Sequence, residues 1–192
     1  MVSRSVPARA APPGDFVIWI FIYAELLVFG ILFLAYAFAR GRNVEVFNAA
    51  QLELDRTAGA VNTLVLITSS YCVVRAVAAI RADRRETCAR WLLATVALGG
   101  GFVAVKLTEF AAKSVAGFGM SSNTFFMFYW SMTFFHFMHV LLGMVILLAV
   151  WWKAGQGAYS AAEHTGVETG AAYWHMVDLV WIILFPLIYV MR

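Results

Sequence analysis

Long apolar runs, separated by short polar stretches, dominate this chain. Five of them reach the roughly 20 residues that a helix needs to cross a bilayer: Phe16–Ala39, Ala58–Ile80, Trp91–Lys113, Thr124–Trp152 and Ala171–Met191. The second is the most polar, with Asn62, Thr63, Thr68, Ser69, Ser70 and Arg75. Between the first two, residues 41–57 mix charges of both signs and predict a short surface helix. Gly117-Phe118-Gly119 predicts a turn, residues 154–170 a small polar loop, and Pro186 a local bend that neighbouring helices can tolerate. The pattern predicts an all-α fold: an integral membrane bundle of five transmembrane helices, forming one membrane domain over residues 1–192.

Composition agrees with the pattern. At 62% hydrophobic and 13% charged residues, the chain lies far from the roughly 45–50% and 25% of soluble domains. The apolar run after the arginine- and proline-bearing first 15 residues is too long for a signal-peptide core and lacks a small-residue cleavage pattern, so it reads as a retained first helix. Arg4, Arg9, Arg81, Arg84, Arg85, Arg90 and Lys153 fall on one side, and Arg40, Arg42, Arg56, Lys113 and Arg192 on the other. The compact Arg81–Arg90 loop decides the bias and predicts the N-terminus inside and the C-terminus outside. The net charge of +3 is therefore a topology signal, and a nucleic-acid partner is not expected. Cys72 and Cys88 have no CxxC-type spacing and read as reduced thiols. No internal repeat is visible, which weighs against an inverted-repeat transporter.

Polar groups inside the spans carry what chemistry the chain has, because charge in hydrocarbon is costly and marks function or a buried partner. Glu25 lies nine residues into the first run, about 14 Å deep at 1.5 Å per residue, and is expected to be neutral or partnered. Its readings are a helix-bridging carboxyl or a group in proton handling. Lys106 and Glu109, three apart, can neutralise one another on one helix face, or Lys106 can extend outward. His136 and His139 form a His-x-x-His pair, a spacing that can chelate a metal or hold haem across facing helices. With four histidines in the chain and no Glu-x-x-His motif within these helices, helix-bridging histidines are the favoured reading. His175 and Asp178 share a face of the last span and are expected to hydrogen-bond within the bundle, to the first or fourth span. The aromatic run Phe125 to Trp130 reads as packing, and Trp151-Trp152-Lys153 as an interface anchor.

The wording of five segments, taken in order, resembles subunit III of the haem–copper oxidases. Trp19 to Phe29 around Glu25 resembles the family helix whose buried glutamate reacts with hydrophobic carbodiimides. Asn62-Thr63-Leu64 with Ser69-Ser70 resembles the helix that follows, and Glu109 sits where the family has a Ser-Glu-Tyr-type segment. Thr124-Phe125-Phe126 through His136-Phe137-Met138-His139-Val140 resembles a His-Gly-Leu-His-Val stretch. Glu168 through Tyr173-Trp174-His175-Met176-Val177-Asp178-Leu179-Val180-Trp181 resembles the last-helix signature. Two N-terminal helices of the seven-helix members have no counterpart here, and Phe137 replaces a glycine, so close helix approach at that point is not expected. Pro13-Gly14-Asp15, Lys106-x-x-Glu109, Asn123 to Met127 and His-Met-Val-Asp make the short five-helix form most similar to the accessory protein encoded with bacterial nitric oxide reductases. The quinol oxidase form is next.

What the resemblance implies is a multi-pass protein of the bacterial inner membrane. It would be a non-catalytic accessory subunit beside a haem-bearing catalytic subunit of a haem–copper oxidase or nitric oxide reductase. Haem and metals would sit in partner subunits, none in this chain, and phospholipid could bind. The residues alone leave two other readings open: a free-standing haem or metal protein using His136, His139 and His175, and a proton-linked carrier using Glu25.

Overall fold

The computed structural model describes residues 13–191; Arg4, Arg9 and Arg192 of the charge count lie outside the described residues. Six α-helices follow one another: α1 (Phe16–Arg42), α2 (Val44–Gln51), α3 (Arg56–Arg81), α4 (Arg85–Val115), α5 (Thr124–Gly155) and α6 (Thr165–Phe185). A π-helical turn, Pro186–Val190, continues α6. Five of these are long and apolar enough to span a membrane, with α6 and the π turn counted together. The short surface helix expected in residues 41–57 is α2. Among the described residues there is no strand.

Helix starts follow local chemistry. Asp15, Asp55 and Asn123 each accept a backbone N–H of the first turn that follows, which satisfies donors a helix cannot pair itself. Two boundaries differ from the sequence expectation. α4 begins at Arg85, so Arg85 and Arg90 lie on the helix and the basic loop shrinks to residues 82–84. α6 begins at Thr165, placing Glu168 in its first turn rather than in a loop. Both polar first turns lie outside the apolar run, where hydropathy gives no signal; the acid at a helix N-terminus suits the macrodipole. Gly117 turns the chain with φ +81.

With lipid as apolar as leucine, burial of apolar surface does not hold such helices together; close packing and interhelical polar bonds do. The last helix is the centre of both. Trp174, fully buried, lies between Gly99 of α4 and Gly143 of α5. A Cβ built at either glycine would meet its ring at 2.8 Å. The indole N–H of Trp174 donates to Ser69 Oγ on α3 at 2.9 Å, so one side chain ties four helices. Trp181 repeats the device one turn-pair later. It donates to Thr63 Oγ1 at 3.0 Å and packs edge-on against Phe102. The Phe137 position, where close approach was not expected, holds a buried ring against Phe110 of α4. The tight contact is at Gly143 instead.

By contrast, α1 is the least buried span, with 11% of its most apolar window buried. It packs on α6 and α5 but not closely on α3, although α3 also leans on α6.

Gly143→Val would force a branched side chain into the Trp174 slot, and overpacking of this kind costs about 1–3 kcal/mol. The variant is expected to accumulate poorly and to melt earlier in detergent than wild type. Gly30→Val, at a glycine with open space around it, should leave the melting temperature unchanged.

Candidate functional site

The intramembrane polar residues fall into separate groups. The first is fully enclosed. Lys106 Nζ lies 3.1 Å from Glu109 Oε2 and 2.7 Å from Tyr189 Oη. Tyr129 and Tyr189 both donate to Glu109 Oε1, at 2.7 and 2.6 Å. The rings of Phe110, Tyr129, Trp181 and Tyr189 stand 5.0–5.4 Å from the ammonium. Lys106 does not extend toward the surface; it is 0% exposed. Cation, carboxylate and two phenols thus satisfy one another inside an aromatic shell.

Tyr189 reaches this group because of the π turn. Two of the turn's carbonyls are taken up from outside its own helix. Gln51 Nε2 of α2 donates to Ile188 O at 3.0 Å, and Tyr36 Oη of α1 to Leu187 O at 3.1 Å. Sequence reading missed Tyr129, Tyr189, Tyr36 and Gln51. Only Gln51 gave a signal, as one of two amides, with Asn48, on a short amphipathic helix.

His136 and His139 diverge. His136 Nε2 donates to Val177 O of α6 at 3.1 Å, and its Nδ1 is buried without a partner. His139 turns the other way, to α1: its Nε2 is 3.0 Å from Glu25 Oε2 and its Nδ1 donates to Phe135 O at 2.8 Å. A carbonyl only accepts, so Nδ1 carries a hydrogen. The Nε2···Oε2 contact then holds one proton, on the carboxyl or on the ring; with none there, two lone pairs would face each other. Glu25 therefore has the partner that its depth demanded, on a helix that sequence reading did not pair with it. The pair opens sideways, with Glu25's side chain 18% exposed.

His175 and Asp178 do not bond to α1 or α5, as expected from sequence, but face α3. Ser70 Oγ is 2.8 Å from His175 Nδ1. Asp178 is buried, and neither carboxyl oxygen has a hydrogen-bond partner. The reason is rotation: the ends of α6's central face are given to Trp174 and Trp181, which leaves the intervening carboxyl against α3. Among the described residues, no cluster of three or more His, Cys, Asp or Glu side chains is placed to hold a metal.

His175 also lines a cavity of about 460 Å³ between α1 and α3, with α6 as its floor. Its walls are apolar, from Trp19, Ile22 and Leu26 on one side and Val74, Val77 and Ala78 on the other. One end is polar. There Glu168 accepts from Arg81 at 2.7 Å, lies 3.1 Å from His164 Nε2 and accepts from Gly14 N at 3.1 Å. Gly14 takes φ +84 to turn beneath Thr169, and Trp19 Nε1 donates to Pro13 O, so residues 13–15 close that end. The groove is open laterally, toward lipid.

The family described as cytochrome c oxidase subunit III matches residues 14–192. The chain is 36% identical over 173 residues to cytochrome c oxidase subunit 3 of Thermostichus vulcanus, covering 90% of this chain and 84% of that one. It is 23% identical over 180 residues to cytochrome bo(3) ubiquinol oxidase subunit 3 of Buchnera aphidicola, covering 91% and 84%. With heme-copper oxidase subunit I+III of Aeropyrum pernix the identity is 29% over 177 residues, covering 89% of this chain and 22% of that one.

A hydrophobic carbodiimide needs a carboxyl that it can reach from the membrane. Glu25 is reachable at the α1–α5 face, whereas Glu109 is enclosed and accepts three hydrogen bonds. Peptide mapping after treatment should find the adduct on Glu25 and not on Glu109. Adduct on Glu109 with Glu25 spared would reverse this assignment.

Proposed function

Because the chain belongs to the cytochrome c oxidase subunit III family and crosses the bacterial inner membrane several times, we propose that it sits beside a haem-bearing catalytic subunit as an accessory subunit. It does no chemistry of its own; it supports assembly and turnover stability of a respiratory haem–copper complex. The observation that carries this reading is how the polar side chains are spent. His136 and His139, the pair with metal-ligand spacing, give their Nε2 atoms to Val177 O and Glu25. Ligation of haem or metal through those atoms would break two contacts that join α5 to α6 and α1. The enclosed Lys106–Glu109–Tyr129–Tyr189 group has no exposed member, which favours a structural role over a carrier's transport path.

The groove between α1 and α3 suits one acyl chain of a phospholipid. Its lining on α6 runs from Glu168 to Leu179, eleven helical steps or about 16 Å, with the polar end at headgroup level. Two partners are consistent with the chain's features. The named relatives are oxidase subunits, and Lys106-x-x-Glu109 with Asn123 to Met127 favours a nitric oxide reductase complex.

Affinity purification of the tagged chain from its native membranes should bring down a large subunit with a haem Soret band. The complex should turn over oxygen or nitric oxide, and that result names the partner. A chain that purifies alone with stoichiometric haem or metal would overturn the accessory role. In the same preparation Glu25→Gln should assemble and support near wild-type turnover, as expected of a helix-bridging carboxyl. Faster inactivation during turnover would assign Glu25 to proton delivery instead.

We infer from the Lys/Arg bias that the arginine-rich end of the bundle faces the cytoplasm. Pro13-Gly14-Asp15, the 82–84 turn and the 156–164 loop meet there, joined by Gly14–Glu168, Arg81–Glu168 and Ala161 N–Asp83. The opposite end gathers Arg40 with Met191 O and Lys113 with Glu53 O. A periplasm-dependent reporter fused after Arg192 should be active. The same reporter fused in the 82–84 turn should be silent.

A further inference from the structure

Five arginines lie at or near the α3–α4 turn, and they are not treated alike. Arg81 pairs with Glu168 at 2.7 Å, Arg85 with Asp83 at 3.7 Å and Arg90 with Glu86 at 3.6 Å. Arg84 holds the N-cap position of α4 at the membrane edge, where water is at hand, and its side chain makes no capping bond. Arg75 is the deepest. It precedes the last residue of α3 by six positions, which puts its Cα about 9 Å below the helix end. It is exposed, and it forms no ion pair among the described residues. Its neighbours are aromatic instead. The guanidinium Cζ lies 5.8 Å from the ring of Trp91, and Tyr71, one turn deeper on α3 and 57% exposed, meets the same ring edge-on at 6.2 Å.

An uncompensated cation at that depth is costly. The side chain can relieve the cost by extending along the helix toward the headgroup layer, where its planar fork can bind an oxyanion through two parallel hydrogen bonds. Tyrosine and tryptophan are the rings that favour the same level. The surrounding hairpin holds more arginines than acids, so it concentrates anions at this surface. We propose that Arg75, Tyr71 and Trp91 form a site for the phosphodiester of an anionic phospholipid, with the guanidinium on the phosphate and the two rings against the glycerol backbone. A carboxylate on a partner subunit would match the charge too, but it would leave Arg75 unpaired whenever the chain is free, whereas lipid is present throughout. The site is distinct from the groove: Val74, Val77 and Ala78 face α1 and α6, while Arg75 turns to α4. It does not rest on the accessory-subunit reading.

Native mass spectrometry of the full chain, extracted in detergent and titrated with phosphatidylglycerol, tests the site. Wild type should retain one more phosphatidylglycerol per chain than Arg75→Gln, and Arg75→Lys should fall between. An unchanged melting temperature is expected, because the side chain is exposed. Ala78→Phe, which fills the groove, should remove a different lipid, so its loss adds to that of Arg75→Gln in the double variant. An unchanged lipid count in Arg75→Gln overturns the proposal. So does a variant that keeps its lipids but no longer holds the haem-bearing subunit, because that result gives Arg75 to a carboxylate of the partner.

Discussion

A polar atom inside hydrocarbon has no water to turn to, and each one left unanswered costs several kcal/mol. In this bundle most of the answers come from α6. Trp174 and Trp181 donate to Ser69 and Thr63 of α3, Val177 O accepts from His136 of α5, and Tyr189 closes the Lys106–Glu109 group of α4. Because lipid removes the usual hydrophobic reason for helices to associate, these bonds and the two glycine slots around Trp174 decide which helices touch and in what register. The five-helix arrangement is a consequence of where one helix places its indoles, its phenol and one backbone carbonyl.

The Lys106–Glu109 group shows the same constraint at its most costly. A buried ion pair seldom stabilises relative to apolar packing, yet removing one partner is strongly destabilising, by about 3–5 kcal/mol, because the other is left uncompensated. Here the penalty is softened by two phenols on one carboxylate oxygen and four rings around the ammonium. That arrangement needs Tyr189 in one position, and the π turn supplies it. The turn in turn needs Gln51 and Tyr36 for its carbonyls. A short surface helix is thereby tied to a pair buried in another helix, through the end of a third.

The spans were legible from sequence because length and apolarity alone specify them, and the surface helix because its polarity pattern breaks there. Helix starts at Arg85 and Thr165 were not, since their first turns are polar and lie outside the apolar runs. Among the site residues, Lys106 with Glu109 could be paired in advance because three positions on one helix fix the distance. Glu25 with His139 could not: 114 positions separate them, and nothing in either helix points to the other. His175 and Asp178 were recognised as facing protein, but which neighbour they face depends on the rotation of α6. That rotation is fixed by Trp174, whose glycine slots are on α4 and α5, and by Trp181, which bonds to Thr63 of α3. Tyr129 and Tyr189 were invisible for a plainer reason, as a phenol in an aromatic run looks like packing until a carboxylate is seen beside it.

Spare hydrogen-bonding capacity is distributed unevenly, and the distribution separates scaffold from working surface. Lys106, Glu109, Tyr129 and Tyr189 are enclosed and mutually satisfied. Other groups keep capacity to spare, some of them buried, such as His136 Nδ1, and some at the α1 side. Glu25 keeps one oxygen free at the α1–α5 face, and His175 keeps Nε2 free in the groove between α1 and α3. Asp178, one turn further along α6, keeps both oxygens unpartnered. α1 is also the helix with least buried surface and the one that packs least on its neighbours. An enclosed group whose members satisfy one another, as Lys106, Glu109, Tyr129 and Tyr189 do, holds shape. Glu25 and His175 reach the membrane side where α1 meets its neighbours, whereas Asp178 is buried, so the accessible groups with bonds still to make gather along the loosest helix.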